Sequence, residues 1–281
     1  MGLTEEFKVT IIQPTMTDDD VMDFIAKGYV VLEGIVDDTS NRTCATSPSG
    51  PAETLAQTPE FIKEVLLHPQ ASGIVRSLLG ENFRVPTGAQ HHLFTKPFVG
   101  QTWHSDGLSG SGHEITELQC YYYPRDVLQE DGPTIILPGS HCRAVDREAI
   151  AHYGDIAGQI SLNVPAGTIV VTRYGIWHRA GPKLNHTPRS MIKYSYFRQA
   201  PPERDWLIDC DQAPVYKKRP SLPYAGAVES YREHVRRRRT WHWLCNLNDP
   251  ADRRLEDPRP EHELGSRPVH EIIGYFEQDR A

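Results

Sequence analysis

Leu118-Gln119-Cys120-Tyr121-Tyr122-Tyr123 is a short run rich in tyrosine, and it has company further along the chain. Thr134 to Leu137, Ile169 to Thr172 and Met191 to Phe197 share its character, rich in Val, Ile, Thr and Tyr and punctuated by Gly and Pro. Short runs of this kind between turn residues read as strands. From Phe83 to about Gln199 the chain therefore reads as an all-β sandwich or jelly roll.

Towards the N-terminus the pattern changes to helix. Thr17 is placed to cap a helix whose first turn holds Asp18, Asp19 and Asp20, where carboxylates suit the helix dipole. Val21, Phe24 and Ile25 form its apolar stripe, Gly28 can end it, and Tyr29 to Leu32 follows as a short buried strand. Residues 37–58, rich in Ser, Thr, Pro and Asp, read as a loop that could cover a site. Thr58-Pro59-Glu60 starts another helix, with Phe61, Val65 and Leu66 on one side, and a further helix ends near Gly80. Beyond Ala200 the chain is charged and rich in Pro, with one helix from Val228 to about Thr240. The expected organisation is one domain over 1–281. Residues 1–82 form a helical N-terminal part, 83–199 the jelly-roll core, and 200–281 an extension covering it.

Composition bounds the function. The chain has 281 residues, 38% hydrophobic and 24% charged, ordinary values for a globular protein. A formal net charge of −7 gives no support to a nucleic-acid partner. Arg236 to Arg239 is the one dense basic run, and a solvated helix face accounts for it better than a phosphate-bearing partner. Met1 to Glu6 lacks the basic and apolar regions of a signal peptide, and no stretch reaches the roughly 18 apolar residues of a membrane span. The five cysteines are scattered, with no C-x-x-C pair, so a reduced cytoplasmic setting is expected.

Phosphate loops, dinucleotide fingerprints, H-E-x-x-H and nucleophile elbows are all missing from the sequence. What remains is Trp103-His104-Ser105-Asp106. On an extended backbone positions i and i+2 face the same side, so His104 and Asp106 can reach one ion. Of the 13 histidines only His104 has an acid two positions later. His178 follows the Ile169 to Thr172 strand and offers a third ligand; two histidines and a carboxylate make the facial triad of non-haem Fe(II) oxygenases. Arg189, eleven residues on, can hold a distal carboxylate bidentately, although taken alone a strand-edge arginine in a surface ion pair accounts for it better.

Taken in order, these pieces resemble the phytanoyl-CoA dioxygenase family, which includes ectoine hydroxylase. The matching segments are Gln90-x5-Lys96-Pro97, Trp103-His104-Ser105-Asp106, Glu130-Asp131-Gly132-Pro133, Pro138-Gly139-Ser140-His141, Ala166-Gly167, His178 and Pro188-Arg189. Gly28-Tyr29-Val30-Val31-Leu32 looks like that family's entry helix and first strand, so the resemblance covers roughly residues 17–199. It implies a double-stranded β-helix, a cupin-like jelly-roll barrel with flanking helices. It also implies His104, Asp106 and His178 as iron ligands, and Arg189 as the anchor of 2-oxoglutarate. Gln90, Lys96 and Tyr121 match positions near that cosubstrate. Ala180 stands where the family often has Ser or Thr holding the same carboxylate.

The resemblance further implies an Fe(II)- and 2-oxoglutarate-dependent dioxygenase. It would use O2 to hydroxylate an unactivated C–H bond of a small metabolite or natural-product intermediate, releasing succinate and CO2, with desaturation or ring chemistry as extensions. Related halogenases replace the carboxylate ligand by a small residue, and Asp106 argues against that subclass. No catalytic group beyond the ligands is implied. His141 is expected to serve a turn, and one of His91 and His92 to face the interior. The rival readings are a non-redox, metal-dependent cupin-like isomerase or epimerase, and an inactive binding protein on the same fold.

Overall fold

Alternation along Leu118–Tyr123 sorts this molecule into layers, because successive strand residues face opposite sides. The computed structural model describes residues 12–106, 112–143, 147–208, 210–220 and 226–247. Helix α1 (Asp18–Lys27) begins with a reciprocal cap: the Thr17 hydroxyl accepts from the Asp20 amide while the Asp20 carboxylate accepts from the Thr17 amide. Such a cap stabilises a helix by about 1 kcal/mol. Gly28 ends α1 at φ 83°, a conformation that favours glycine. Strand β1 (Tyr29–Leu32) follows, then α2 (Asp38–Ala45), β2 (Gly50–Pro51) and α3 (Glu53–Ala56). Helix α4 (Pro59–Phe61) runs on as a π-helical turn over Ile62–Leu66, and α5 (Pro69–Leu79) completes the helical part.

The rest is strand-rich: β3 (Gln90–Phe94), β4 (Glu117–Tyr123), β5 (Thr134–Ile136), α6 (Arg147–Ile150), β6 (Ile160–Ser161), β7 (Thr168–Arg173), β8 (His178–Ala180) and β9 (Arg189–Phe197). Helix α7 (Ala227–Leu244) is the last described element. A six-stranded sheet has the order β1-β7-β4-β9-β3-β2 and a three-stranded sheet the order β6-β5-β8, antiparallel throughout.

Three apolar clusters mark the layers. Leu118, Cys120 and Tyr122 face one way and pack with Phe24, Phe61, Val75 and Leu78 of the helices. Tyr121 and Tyr123 face the other way, joining Val170 and Met191 of the large sheet to Ile136 and Ile176 at the small one. Ile135, alternating with Ile136, packs with Trp103 and Trp177 on the outer side of the small sheet. The space between the sheets is therefore bounded by the inward residues of β4, β7 and β9.

Three expectations change. Tyr29–Leu32 is half-buried rather than buried, because among the described residues β1 is an edge strand paired only with β7. Residues 37–58 hold α2, β2 and α3 instead of a loop; Asp37 caps α2 by accepting from the Thr39 and Ser40 amides, and buried Asn41 accepts from the Tyr122 hydroxyl at 2.6 Å. The arginine run is no solvated face: Arg237 is buried against Glu233, and Arg236 donates to the Cys142 carbonyl. Helix α7 places Trp241 and Leu244 in the helical-layer core. Residues 107–111 of the Gly-rich stretch and the tail from 248 on lie outside the described residues. None of the described helices is long and apolar enough to cross a membrane.

Candidate metal centre

His178 opens β8 and exchanges backbone hydrogen bonds with His104 at 3.0 and 2.9 Å, which clamps the segment carrying His104 and Asp106 against the small sheet. The Trp177 amide donates to the Ser140 hydroxyl at 2.8 Å, so the Pro138–His141 turn fixes the approach to His178. His141 itself bonds the Ile25 carbonyl and serves that turn.

Ligand atoms of His104, Asp106 and His178 all lie within 4.8 Å of one another, the sole such group of three among the described residues. Both imidazoles are oriented in the same way. His104 Nδ1 lies 2.9 Å from the Thr102 carbonyl and His178 Nδ1 lies 3.0 Å from the Ile176 carbonyl. A carbonyl only accepts, so each Nδ1 carries the proton and each Nε2 keeps its lone pair. His178 Nε2 stands 3.6 Å from Asp106 Oδ2. Burial pushes the His178 pKa down to about 4, with His104 adding to the effect and Asp106 opposing it, so the ring is neutral at neutral pH. Burial disfavours the Asp106 carboxylate, but His178, Lys193 and Gln119 outweigh it and hold its pKa well below the usual range. Two neutral nitrogens and one carboxylate oxygen suit a divalent transition metal and leave further coordination positions open.

Two residues that sequence reading missed hold Asp106. Lys193 Nζ and Gln119 Nε2 each donate to Oδ2 at 2.8 Å, and Gln119 Oε1 accepts from the Tyr121 hydroxyl at 2.8 Å. Register explains the grouping. Gln90, Lys193, Tyr121, Val170 and Val31 are directly opposed across five neighbouring strands, so they share one face. Tyr121 is fully buried, with its ring 5.8 Å from that of His178. Gln90 is exposed at the start of this row, and Lys96 is exposed on the segment after β3.

Arg189 is 1% exposed and has no acidic partner among the described residues, which sets aside the surface ion pair. Its Nη2 donates to Thr134 Oγ1 at 2.6 Å, its Nε has no partner among the described residues, and its guanidinium lies against the Phe94 and Tyr123 rings. Burial lowers its pKa. Desolvating a charge costs several kcal/mol even after relaxation, so an unpaired buried guanidinium calls for an anion. Thr134 faces Ala180 in the β5–β8 register, which puts a hydroxyl beside the position where Ala180 supplies none. That hydroxyl oxygen also accepts from Tyr123 at 2.9 Å. With both lone pairs used, its proton is left to donate.

His92 lies on the inner face and His91 on the other, where it bonds Ser190 at 2.7 Å. In the Glu130–Pro133 turn, Asp131 accepts from Asn185 at 2.8 Å and lies 3.9 Å from buried Lys183. A Cβ on Gly132 would stand 3.0 Å from the Gly181 carbonyl, so this motif closes the loop behind β8.

Comparison with known proteins gives a family and a fold. The family profile described as phytanoyl-CoA dioxygenase (PhyH) matches residues 36–191. No curated protein matches the sequence. Among solved structures, HygX from Streptomyces hygroscopicus, with nickel and 2-oxoglutarate bound, is similar at TM-score 0.54 and 14% identity, over 66% of this chain and 88% of that one. EctD from S. alaskensis aligns at TM-score 0.53 and 17% identity, over 67% and 81%. The non-haem alpha-ketoglutarate-dependent carbocyclase SnoK from nogalamycin biosynthesis aligns at TM-score 0.51 and 19% identity, over 66% and 87%.

Proposed function

Because the chain belongs to the phytanoyl-CoA dioxygenase family of Fe(II)/2-oxoglutarate oxygenases and its triad is intact, we propose that it hydroxylates an unactivated C–H bond of a small metabolite or natural-product intermediate. The observation that carries this reading is the combination, in one inter-sheet space, of a converging His104–Asp106–His178 group and a buried Arg189 with no acidic partner among the described residues. A divalent ion and a dicarboxylate together satisfy both. The two antiparallel sheets with flanking helices support a double-stranded β-helix in this reading.

His104 and His178 would hold iron through Nε2, and Asp106 through its carboxylate, with Gln119 and Lys193 fixing the orientation of that carboxylate. Arg189 would receive the distal carboxylate of 2-oxoglutarate, and the Thr134 hydroxyl would donate to it in place of the group absent at Ala180. Tyr121 would shape the pocket through Gln119, with Gln90 at the rim of the same row and Lys96 beyond it. Iron and 2-oxoglutarate bound there supply the oxidation: O2 and the keto acid yield succinate and CO2, and one oxygen atom enters the substrate C–H bond. Trp103 and Trp177 pack behind the small sheet and would keep water from reaching the site from that side.

A small free substrate is favoured over a CoA thioester, because the basic run that could receive its phosphates is occupied within the protein. Arg237 pairs with Glu233 at 3.4 Å and Arg236 bonds a carbonyl. The test is anaerobic titration with Fe(II) and 2-oxoglutarate, followed by visible absorption. A weak charge-transfer band that needs both components and disappears in His104→Ala is the expected result. Metal binding without any band would instead support a non-redox cupin-like enzyme and leave Arg189 without its assigned role.

A further inference from the structure

Lys193 holds a position that the chemistry above does not exhaust. It sits between Gln90 and Tyr121 in the row that crosses the inner face. Its Nζ donates to Asp106 Oδ2 at 2.8 Å, and the side chain keeps 22% exposure. An ammonium carries three N–H donors, and Asp106 is its one hydrogen-bond partner among the described residues. Two donors are left for a ligand.

His92 lies two positions from Gln90 on β3 and therefore shares its face. Its Nε2 is buried and has no hydrogen-bond partner among the described residues. Burial lowers the ring's pKa to about 4; Lys193 and Arg189 push it further down and Asp106 opposes them. A neutral imidazole brings one more donor to the same space.

The electrostatics favour an anion as the group received here. Among the described residues Asp106 is the only carboxylate bonded to Lys193, and a divalent metal in the triad would draw on the same carboxylate. Glu117, the other acid on this face of β4, bonds Ser195. A partly desolvated ammonium whose counter-ion is shared with a dication gains most from a second anionic partner.

We propose that Lys193, flanked by His92 and Gln90, is the substrate-recognition element of this site, and that the substrate presents a carboxylate to it. This rests on the oxygenase reading and names its substrate class. Gln90 at the exposed end of the row would be met first, with Lys193 drawing the carboxylate inward and setting which C–H bond faces the metal.

The test uses the intact protein, held anaerobically with Fe(II) and saturating 2-oxoglutarate so that Arg189 is occupied. The probes are a panel of small carboxylic acids, each with its matched primary amide, read by thermal stabilisation of the loaded protein and by displacement of its visible band. Acids should bind at least about tenfold more tightly than their amides, the fold-change of one charge-assisted hydrogen bond. Lys193→Met should erase that preference, Lys193→Arg should keep it, and Lys63→Met, an exposed lysine on the helical side, should leave it unchanged. His92→Leu, which leaves the Asp106 contacts in place, should lower acid affinity, so the proposal is tested even where Lys193→Met loses its metal. Equal binding of acids and amides, no acid bound, or a preference that survives Lys193→Met would each overturn it. A visible band without acid preference overturns only the recognition role; no band in the unaltered protein overturns the oxygenase reading itself.

Discussion

The two ends of the inter-sheet space are built in opposite senses. At one end, two imidazole lone pairs and a carboxylate converge within 4.8 Å, donors held ready for a cation. At the other, Arg189 is buried with aromatic rings around it and no acid among the described residues, a cation held ready for an anion. The metal end is partly neutralised, since Lys193 bonds Asp106 at 2.8 Å, whereas the Arg189 end has no such counter-ion among the described residues; one half of a metal–dicarboxylate pair would complete each. A core under selection for stability alone would lack the Arg189 end, because an ion lacking its partner is worse than an apolar residue of the same shape.

Removing the anionic end should have the largest effect. Asp106→Ala takes away a ligand and strands the donors of Lys193 and Gln119, both 2.8 Å away. Metal affinity should fall beyond the 10- to 100-fold, roughly, that loss of a supporting outer group costs. Anaerobic calorimetry with Fe(II) measures it, and unchanged affinity would mean that the triad is not the metal site. The cationic end should respond in two directions at once. Arg189→Met should weaken 2-oxoglutarate binding by about 2–5 kcal/mol, the usual cost of truncating one partner of a buried charge pair. It should also raise the melting temperature of the ligand-free protein, since replacing a buried ion by an apolar side chain can stabilise by about 1–4 kcal/mol. A ligand-free variant that melts lower would reveal a counter-ion at that end and break the contrast.

The two ends were not equally legible. His104, Asp106 and His178 can be grouped from the sequence because metal chemistry demands particular residue types, and Arg189 can be singled out as a candidate because a bidentate donor is hard to replace. Gln119, Lys193 and Thr134 could not be read. Their role depends on strand register, where a slip of one residue sends every side chain to the opposite face. Nothing in the local sequence says that Lys193 lies opposite Tyr121. The helical part failed in a different way. Residues 37–58 have a loop-like composition, yet Asp37 caps α2 and the Tyr122 contact to Asn41 holds it down. The arginine run reads as solvated in the sequence because nothing local says that Glu233, fully buried one turn earlier, faces Arg237 and Arg143.

Between the two ends, His92 senses both, and pH sharpens the comparison. Its folded pKa is about 4 against an ordinary 6.5. The unfolded chain therefore takes up a proton that the folded chain refuses. Stability from this group is unaffected above pH 6.5 and is lost as pH falls through the window down to about 4. At pH 5 the loss is about 2 kcal/mol. Urea unfolding at pH 7 and pH 5 should show His92→Gln losing less stability than the unaltered protein by about that amount. Identical losses would mean that His92 is protonated or solvated and not aimed into the shared space.

The smallest effect tests how the cationic end is finished. Thr134 accepts from Tyr123 and Arg189, so its own proton is the donor available to a carboxylate lying against the guanidinium. Thr134→Val keeps the shape and deletes that donor, and should weaken 2-oxoglutarate binding by about 1 kcal/mol, roughly fivefold, with metal affinity unchanged. Because Ala180 lies directly opposite in register, Ala180→Ser on the Thr134→Val background should recover most of the loss by supplying the hydroxyl from the other strand. Recovery would show that the two strands offer interchangeable positions for one hydrogen bond. Failure to recover, with Thr134→Val impaired, would assign Thr134 to holding Arg189 in place and not to the carboxylate.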